Sequence, residues 1–205
     1  MLNPRRHRVD LRAERRSLGG FMEGIKFQGG YRNYEHDEIE GDGTIATSFK
    51  NESAEGQLLL NHRPLGRVKG TFGLWGMRRS YSSAGEEALA PPTKQGNLAG
   101  FVYEEVSFRH LSVQFGGRFD YASFDTSGAA VGRPGLPDRS FTEFSGSVGL
   151  VGHLRHDLTL AVNLARAARP PSLEELYNLG PHAGNFVFEI GDPNLKTEVG
   201  YGTDV

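Results

Sequence analysis

The sequence predicts an all-β chain: a portion of an antiparallel transmembrane β-barrel, about nine long strands with short periplasmic turns and long extracellular loops. Three observations carry this. Apolar residues recur with a period of two and not 3.6. The predicted strands run about 10–15 residues, where soluble sheets average nearer 5–6 and a tilted membrane crossing takes about 9–11. The connections alternate strictly between short and long, as they do in outer-membrane barrels, whereas a Greek-key sandwich need not keep that order.

Taken in chain order, Val9, Leu11 and Ala13 alternate with Asp10, Arg12 and Glu14. Phe21, Ile25, Phe27 and Tyr31 alternate with Lys26, Gln28 and Arg32. The stretch from Asn51 to His62 is noisier but still reads as extended. Val68, Phe72 and Leu74 share a phase against Lys69, Thr71 and Trp75, and a second noisy stretch follows from Lys94 to Phe108. Leu111, Val113, Phe115, Phe119 and Tyr121 then face away from Ser112, Gln114, Arg118 and Asp120. Phe144, Val148, Leu150 and Leu154 oppose Glu143, Ser145 and Ser147, and Leu158, Leu160, Val162 and Leu164 oppose Thr159 and Asn163. Short turns are predicted at Ser17–Gly20, Arg63–Arg67, Arg109–Leu111 and Arg155–Asp157. Long loops are predicted at Glu35–Thr47, Ser82–Thr93, Ser123–Arg139 and Ala167–Asn194. Tyr31, Phe49, Tyr81, Tyr121, Phe124, Phe141 and Phe144 lie near long-loop ends, and Tyr31, Tyr121 and Phe144 share the apolar phase, as an aromatic girdle would.

Composition fits this reading. The 205 residues carry a formal charge of -2, which gives no electrostatic case for nucleic acid. The 28 glycines are about twice the usual share and suit turns and closely packed walls better than long helices. With no cysteine there is neither a disulfide framework nor a thiolate metal site. No apolar run approaches the ~18 residues of a transmembrane helix. The segment MLNPRRHRVDLRAERR has no apolar core of a signal peptide, and since an outer-membrane protein must be exported, the expectation is that either the true N-terminus is missing or the membrane reading is wrong. Signatures of the nucleophile elbow, the phosphate-binding loop and the zinc-protease helix are absent; Glu86-Glu87 and Glu174-Glu175 are paired carboxylates in loop context, with no acid/base partner. The chain therefore reads as a non-enzyme without a resident cofactor.

The most specific stretch is Arg166–Glu198, RAARPPSLEELYNLGPHAGNFVFEIGDPNLKTE. It lies between two predicted strands. Ser172 with Glu175 three residues on is a capping box, so one short turn of helix is expected just after Pro170 and Pro171. The order of Arg169, Pro171, Ser172, Glu175, Leu176, Tyr177, Gly180, Pro181 and His182, followed by Phe188, Glu189, Gly191, Pro193, Asn194, Leu195, Lys196 and Glu198, resembles a segment of TonB-dependent outer-membrane receptors. Asp192 stands where Asn is more usual, and keeps a turn-forming side chain before Pro193. Weaker likenesses lie in Gly117-Arg118-Phe119-Asp120-Tyr121 and in Ala90-Pro91-Pro92-Thr93.

The resemblance implies ligand capture by extracellular loops and release through a plug that the TonB complex drives. The ligand would be a scarce nutrient: ferric siderophore, haem, cobalamin or zinc. It implies outer-membrane lipid as the surroundings and about 22 strands around a plugged lumen. Nine strands are under half of that. The expectation is therefore a partial barrel domain over residues 1–205, with plug and C-terminal strands absent, that does not transport alone. The motif itself is expected to be a structural joint rather than a ligand contact. A soluble or surface-bound β-sheet binding protein, or a small complete barrel, is the alternative.

Two further sets stand out. His36, Asp37, Glu38, Glu40 and Asp42, in the first predicted long loop, are candidate ligands for a divalent cation such as Zn²⁺, the transported species, or else a solvated acidic loop tip. His182 on another long loop could add a ligand; His7, His62, His110, His153 and His156 fall mostly near short turns and look incidental. Arg12, Glu14, Lys26, Arg32, Glu55, Lys69, Arg79, Arg118, Asp120 and Glu143 sit in the polar phase. A basic group in mid-bilayer costs about 2–4 kcal/mol, so these belong on a hydrated inner wall that could also dock a plug.

Overall fold

The computed structural model describes residues 2–85, 88–126, 129–130, 133–182 and 187–205, with the side chains of 129–130, 133–134 and 182 left out of that set. The elements are β1 (Leu2–Arg16), β2 (Met22–Ile39), β3 (Ile45–His62), β4 (Val68–Gly85), β5 (Thr93–Ser107), β6 (Leu111–Thr126), β7 (Ala129–Ala130), β8 (Arg133–Pro134), β9 (Arg139–Arg155), β10 (Leu158–Arg169), α1 (Leu173–Tyr177), β11 (Leu179–His182), β12 (Val187–Ile190) and β13 (Glu198–Asp204). Nine strands form one antiparallel sheet in the order β1-β2-β3-β4-β5-β6-β9-β10-β13, so each pairs with the next long strand in sequence. β7 pairs with β8, and β11 with β12, in two small two-stranded sheets inside the last two loops. Among the described residues the sheet is open, with β1 and β13 at its edges.

Alternation sorts the two faces as the sequence predicts. The apolar phase is solvent-exposed: Phe27, Phe72, Leu74, Leu98, Phe119, Leu150 and Leu160 are each more than a third exposed. So large an apolar face is unsustainable in water and marks contact with lipid. Tyr31, Tyr121 and Phe144 point outward at its upper margin, while Phe124 and Phe141 are buried on the other side. The polar phase is laced with ion pairs: Arg32–Glu55 at 2.6 Å, Lys69–Glu105 at 3.1 Å and Arg118–Asp120 at 2.6 Å. The Arg118 guanidinium also lies over Trp75 and Phe101. Phe101 belongs to this inner face because the ladder sets it beside Gly73, whose missing side chain leaves room for the ring.

Two expectations are corrected. Several strands exceed the expected 10–15 residues: β2, β3 and β4 each run 18, while β1, β5 and β10 lie within that range. In consequence Glu35–Thr47 is not a long loop. β2 continues to Ile39 and pairs as far as Ile45, leaving a tight turn over 40–44. Charged residues on both faces obscure the alternation there, and such a strand is stable where both faces meet water. The other long loops keep their places: two are shortened in the same way, to the connections between Gly85 and Thr93 and between Thr126 and Arg139, and the last, between Arg169 and Glu198, is shifted by three residues at unchanged length. Glu86 and Glu87 lie outside the described residues.

The noise in the β3 and β5 patterns also has a cause. Glu104 is in the outward phase of β5, and His62 in that of β3. They meet across β4 at 2.9 Å, over Gly70, where a Cβ would lie 2.2 Å from the Glu104 carboxylate. Phe21 stacks on the imidazole with ring centroids 5.4 Å apart. His62 is therefore a buried, paired residue and not an incidental one.

Candidate functional site

The main packed core lies on the inner face, where the last loop returns onto the wall. Leu173, Leu176 and Tyr177 of α1 are fully buried and pack with Ala122 and Phe124 of β6, Phe141 of β9 and Ala90. Burying each large side chain contributes roughly 1.5–3 kcal/mol, which is what holds so short a helix in place. α1 forms where the sequence places it because Ser172 caps it: the Ser172 Oγ accepts from the Glu175 N–H at 3.2 Å, and the Glu175 carboxylate accepts from the Ser172 N–H at 2.7 Å.

The motif residues knit this loop to both flanking strands. Arg169, at the end of β10, donates to both Glu175 oxygens at 2.9 and 3.0 Å and to Glu198, at the start of β13, at 2.9 Å. One guanidinium thus ties the strand that enters the loop, the helix, and the strand that leaves it. The Arg169 contact first, with the Ser172 N–H behind it, holds the Glu175 carboxyl well below the usual range, at about 2; Glu175 and Glu198 hold the guanidinium more firmly protonated. The three side chains are between 43% and 70% exposed, so the pairing positions more than it stabilises.

The second half of the motif closes on α1. The Gly191 N–H donates to the Asn178 carbonyl at 2.6 Å, and the Asp192 N–H to the Glu175 carbonyl at 2.9 Å. A Cβ at Gly191 would stand 2.8–2.9 Å from three backbone atoms of residues 175, 177 and 178, so only glycine fits. Asp192 Oδ1 accepts from the Asn194 N–H at 2.8 Å, making the turn that leads to β13. The Asn178 amide donates to the Glu189 carboxylate. Pro171 and Gly180 are buried, whereas Pro181, Leu195 and Lys196 stay exposed, with Pro193 between. The His182 side chain lies outside the described residues.

Sequence reasoning placed Arg79 and Glu143 on the inner wall but missed that the wall receives this loop. Arg79 of β4 donates to Glu174 at 3.1 Å, Thr197 to Glu143 at 2.8 Å, Arg139 to the Leu195 carbonyl at 3.1 Å, and the Tyr177 hydroxyl to the Pro137 carbonyl at 3.0 Å. Burial pushes that phenol up to about 12. A signal was available: Tyr81, Phe124 and Phe141 sit in the polar phase at strand ends, and aromatics there need a partner to bury them.

The five candidate cation ligands are not brought together. His36 and Glu38 face inward on β2, Asp37 faces outward and accepts from Ser48 at 2.5 Å, and Glu40 and Asp42 lie in or beside the turn. His36 stacks on Phe49 with ring centroids 4.5 Å apart, and its Nε2 lies 3.9 Å from Glu38, which brings together two of the five candidates. Asp42 Oδ1 accepts from the Thr44 hydroxyl and N–H, which hold its carboxyl low. No group of three or more His, Asp or Glu suited to a metal occurs among the described residues.

A lipid-facing apolar surface, an ion-paired inner wall and a loop folded inward at one rim define a segment of an outer-membrane β-barrel. The chain belongs to the family described as TonB dependent receptor-like, beta-barrel, which matches residues 2–205. It is similar in fold to a copper transporter, OprC, with a TM-score of 0.70 at 19% identity, over 87% of this chain and 32% of that one. It is also similar to the FrpB iron transporter from Neisseria meningitidis (F5-1 variant), with a TM-score of 0.65 at 11% identity, over 81% of this chain and 28% of that one. The chain thus spans about a third of the length of these structures. Its place is the outer membrane.

Proposed function

We propose that this chain forms part of the wall of a TonB-dependent transporter that takes up a scarce metal-containing nutrient. The observation that carries the reading is the inner face: a charge-paired, hydrated wall with a rigid joint at its extracellular rim, backed by an apolar belt. Copper and iron transporters share the fold, and a ferric siderophore, haem, cobalamin, zinc or copper ligand fits that class. The motif at Arg169–Glu198 acts as the joint that orients the last loop, and the ligand is met by other residues. The free edges of β1 and β13 leave backbone groups that hydrocarbon does not tolerate, so the segment works within a larger closed barrel and does not transport alone. The plug of that barrel couples it to the TonB complex.

The test is accumulation of labelled iron, zinc, copper or cobalamin by cells that carry or lack the gene, with each nutrient limiting in turn. Energy-dependent uptake that is lost with the gene under one of these supports the reading and names the nutrient. Unchanged uptake in all four sinks it.

A further inference from the structure

Just above the apolar belt, the outward face of β3 to β6 holds a groove. Ala54, Gly96 and Ser123 align across the ladder with Arg78 between the first two, and their small side chains form its floor. Two adjoining depressions of about 580 and 520 Å³ share these four residues. The lower is walled by Leu98 and Tyr121, both exposed, and the upper is bordered by Lys94. Arg78 and Lys94 are exposed and have no ion-pair partner within 4.0 Å among the described residues. Of the inward cations, Arg12, Arg32, Lys69, Arg79 and Arg118 have one, and Lys26 does not among the described residues.

An outward arginine is excluded from mid-bilayer by a cost of about 2–4 kcal/mol. One strand step above Leu98 and Tyr121, Arg78 therefore stands at the level of lipid headgroups. It is a diagonal neighbour of Lys94 on the adjacent strand, at roughly 7–8 Å, so both can reach one phosphate. We propose that this groove binds a phosphate-bearing lipid of the outer leaflet. The phosphate sits on Arg78 and Lys94, and an acyl chain lies along the small-residue floor against Leu98 and Tyr121. Glu52, which accepts from the Tyr31 hydroxyl at 3.1 Å, and Asp125, opposite Lys94, border the upper depression and confine the anion between the two cations. This rests on the outer-membrane placement of the protein.

The test is native mass spectrometry of the protein purified from outer membranes, titrated with a bisphosphorylated, multiply acylated glycolipid. Each cation near an anionic lipid surface is worth about fivefold in binding, so Arg78→Gln and Lys94→Gln should each weaken it about fivefold and together about 25-fold. Lys69→Gln, on the same strand as Arg78 but facing inward and away from the groove, should bind as the unaltered protein does. The same lipid stripped of phosphate should bind the unaltered protein as weakly as the intact lipid binds the double variant. Inorganic phosphate at millimolar concentration should not displace the lipid. Equal binding by R78Q/K94Q and the unaltered protein, undiminished binding of the dephosphorylated lipid, or displacement by free phosphate would overturn the proposal. Heat-modifiable gel mobility checks that each variant is folded, and the single variants remain informative if the double one is not. Absence of the unaltered protein from outer membranes would instead sink the placement.

Discussion

Replacing Gly191 by alanine probes the joint most directly. The new methyl carbon would meet the Tyr177 nitrogen at 2.8 Å and the Asn178 nitrogen and Glu175 oxygen at 2.9 Å. All three are backbone atoms of α1 and its cap, so no side chain can swing aside. The φ at Gly191 is not positive, so the constraint is space and not backbone conformation. Relief requires the 190–195 segment to separate from α1. Overpacking costs about 1–3 kcal/mol, and separation also breaks the Gly191–Asn178 and Asp192–Glu175 hydrogen bonds, about 1 kcal/mol each. The sum is about 3–5 kcal/mol, confined to the loop. Even about 2 kcal/mol raises the open population roughly 30-fold. Hydrogen exchange read by mass spectrometry on peptides from 173–195 should accelerate by at least that factor in G191A, while peptides from β2 to β4 keep their protection. Gly200→Ala is the control, since nothing lies within 4 Å of a Cβ there. Exchange in G191A within about twofold of the unaltered protein would refute the close-approach reasoning.

Three other expectations follow from the same packing. Glu175→Gln should loosen the loop by at most about 1 kcal/mol at neutral pH, because the pair is exposed. Its pH dependence is the sharper readout. The folded carboxyl is depressed to about 2 from an ordinary 4.5, so its contribution is full above the ordinary range and lost as pH falls through about 2. Loop protection should decline over that acid window in the unaltered protein and stay flat in E175Q; parallel profiles would contradict the pairing. Tyr177→Phe leaves the Pro137 carbonyl without its donor and should cost about 0.5–1.5 kcal/mol, whereas Tyr177→Ala, which empties a fully buried site, should cost about 3–5 kcal/mol; loop exchange rates in the two variants separate these, and equal effects would argue against the burial. His62→Ala strands a buried Glu104 and should lower the yield of heat-modifiable folded protein far more than the double change with Glu104→Gln, as expected for a pair of about 3–5 kcal/mol broken on one side; equal losses would mean the pair is not coupled.

Much of the wall was legible because a strand in a barrel leaves a local trace. Lipid on one side and water on the other force alternate residues apart in polarity, so Phe119 and Tyr121 against Arg118 and Asp120 reveal both the strand and its faces. The capping box at Ser172 and Glu175 is equally local, and α1 begins where it predicts. Where both faces of a strand meet water, that trace disappears. The acidic run from Glu35 to Glu38 therefore reads as loop, although it is paired strand. Glu104 reads as noise for the opposite reason: its partner His62 is two strands away.

The sequence by itself determined the strand phases, the sidedness of the turns and loops, and the motif that marks the last loop, because each is written in neighbouring residues. Only the tertiary structure decided what Arg169 joins, why Gly191 must be glycine, and that Phe124 and Phe141 face inward to receive α1. Those contacts close between segments far apart in the chain, and the ladder register that brings them together is set by the whole sheet.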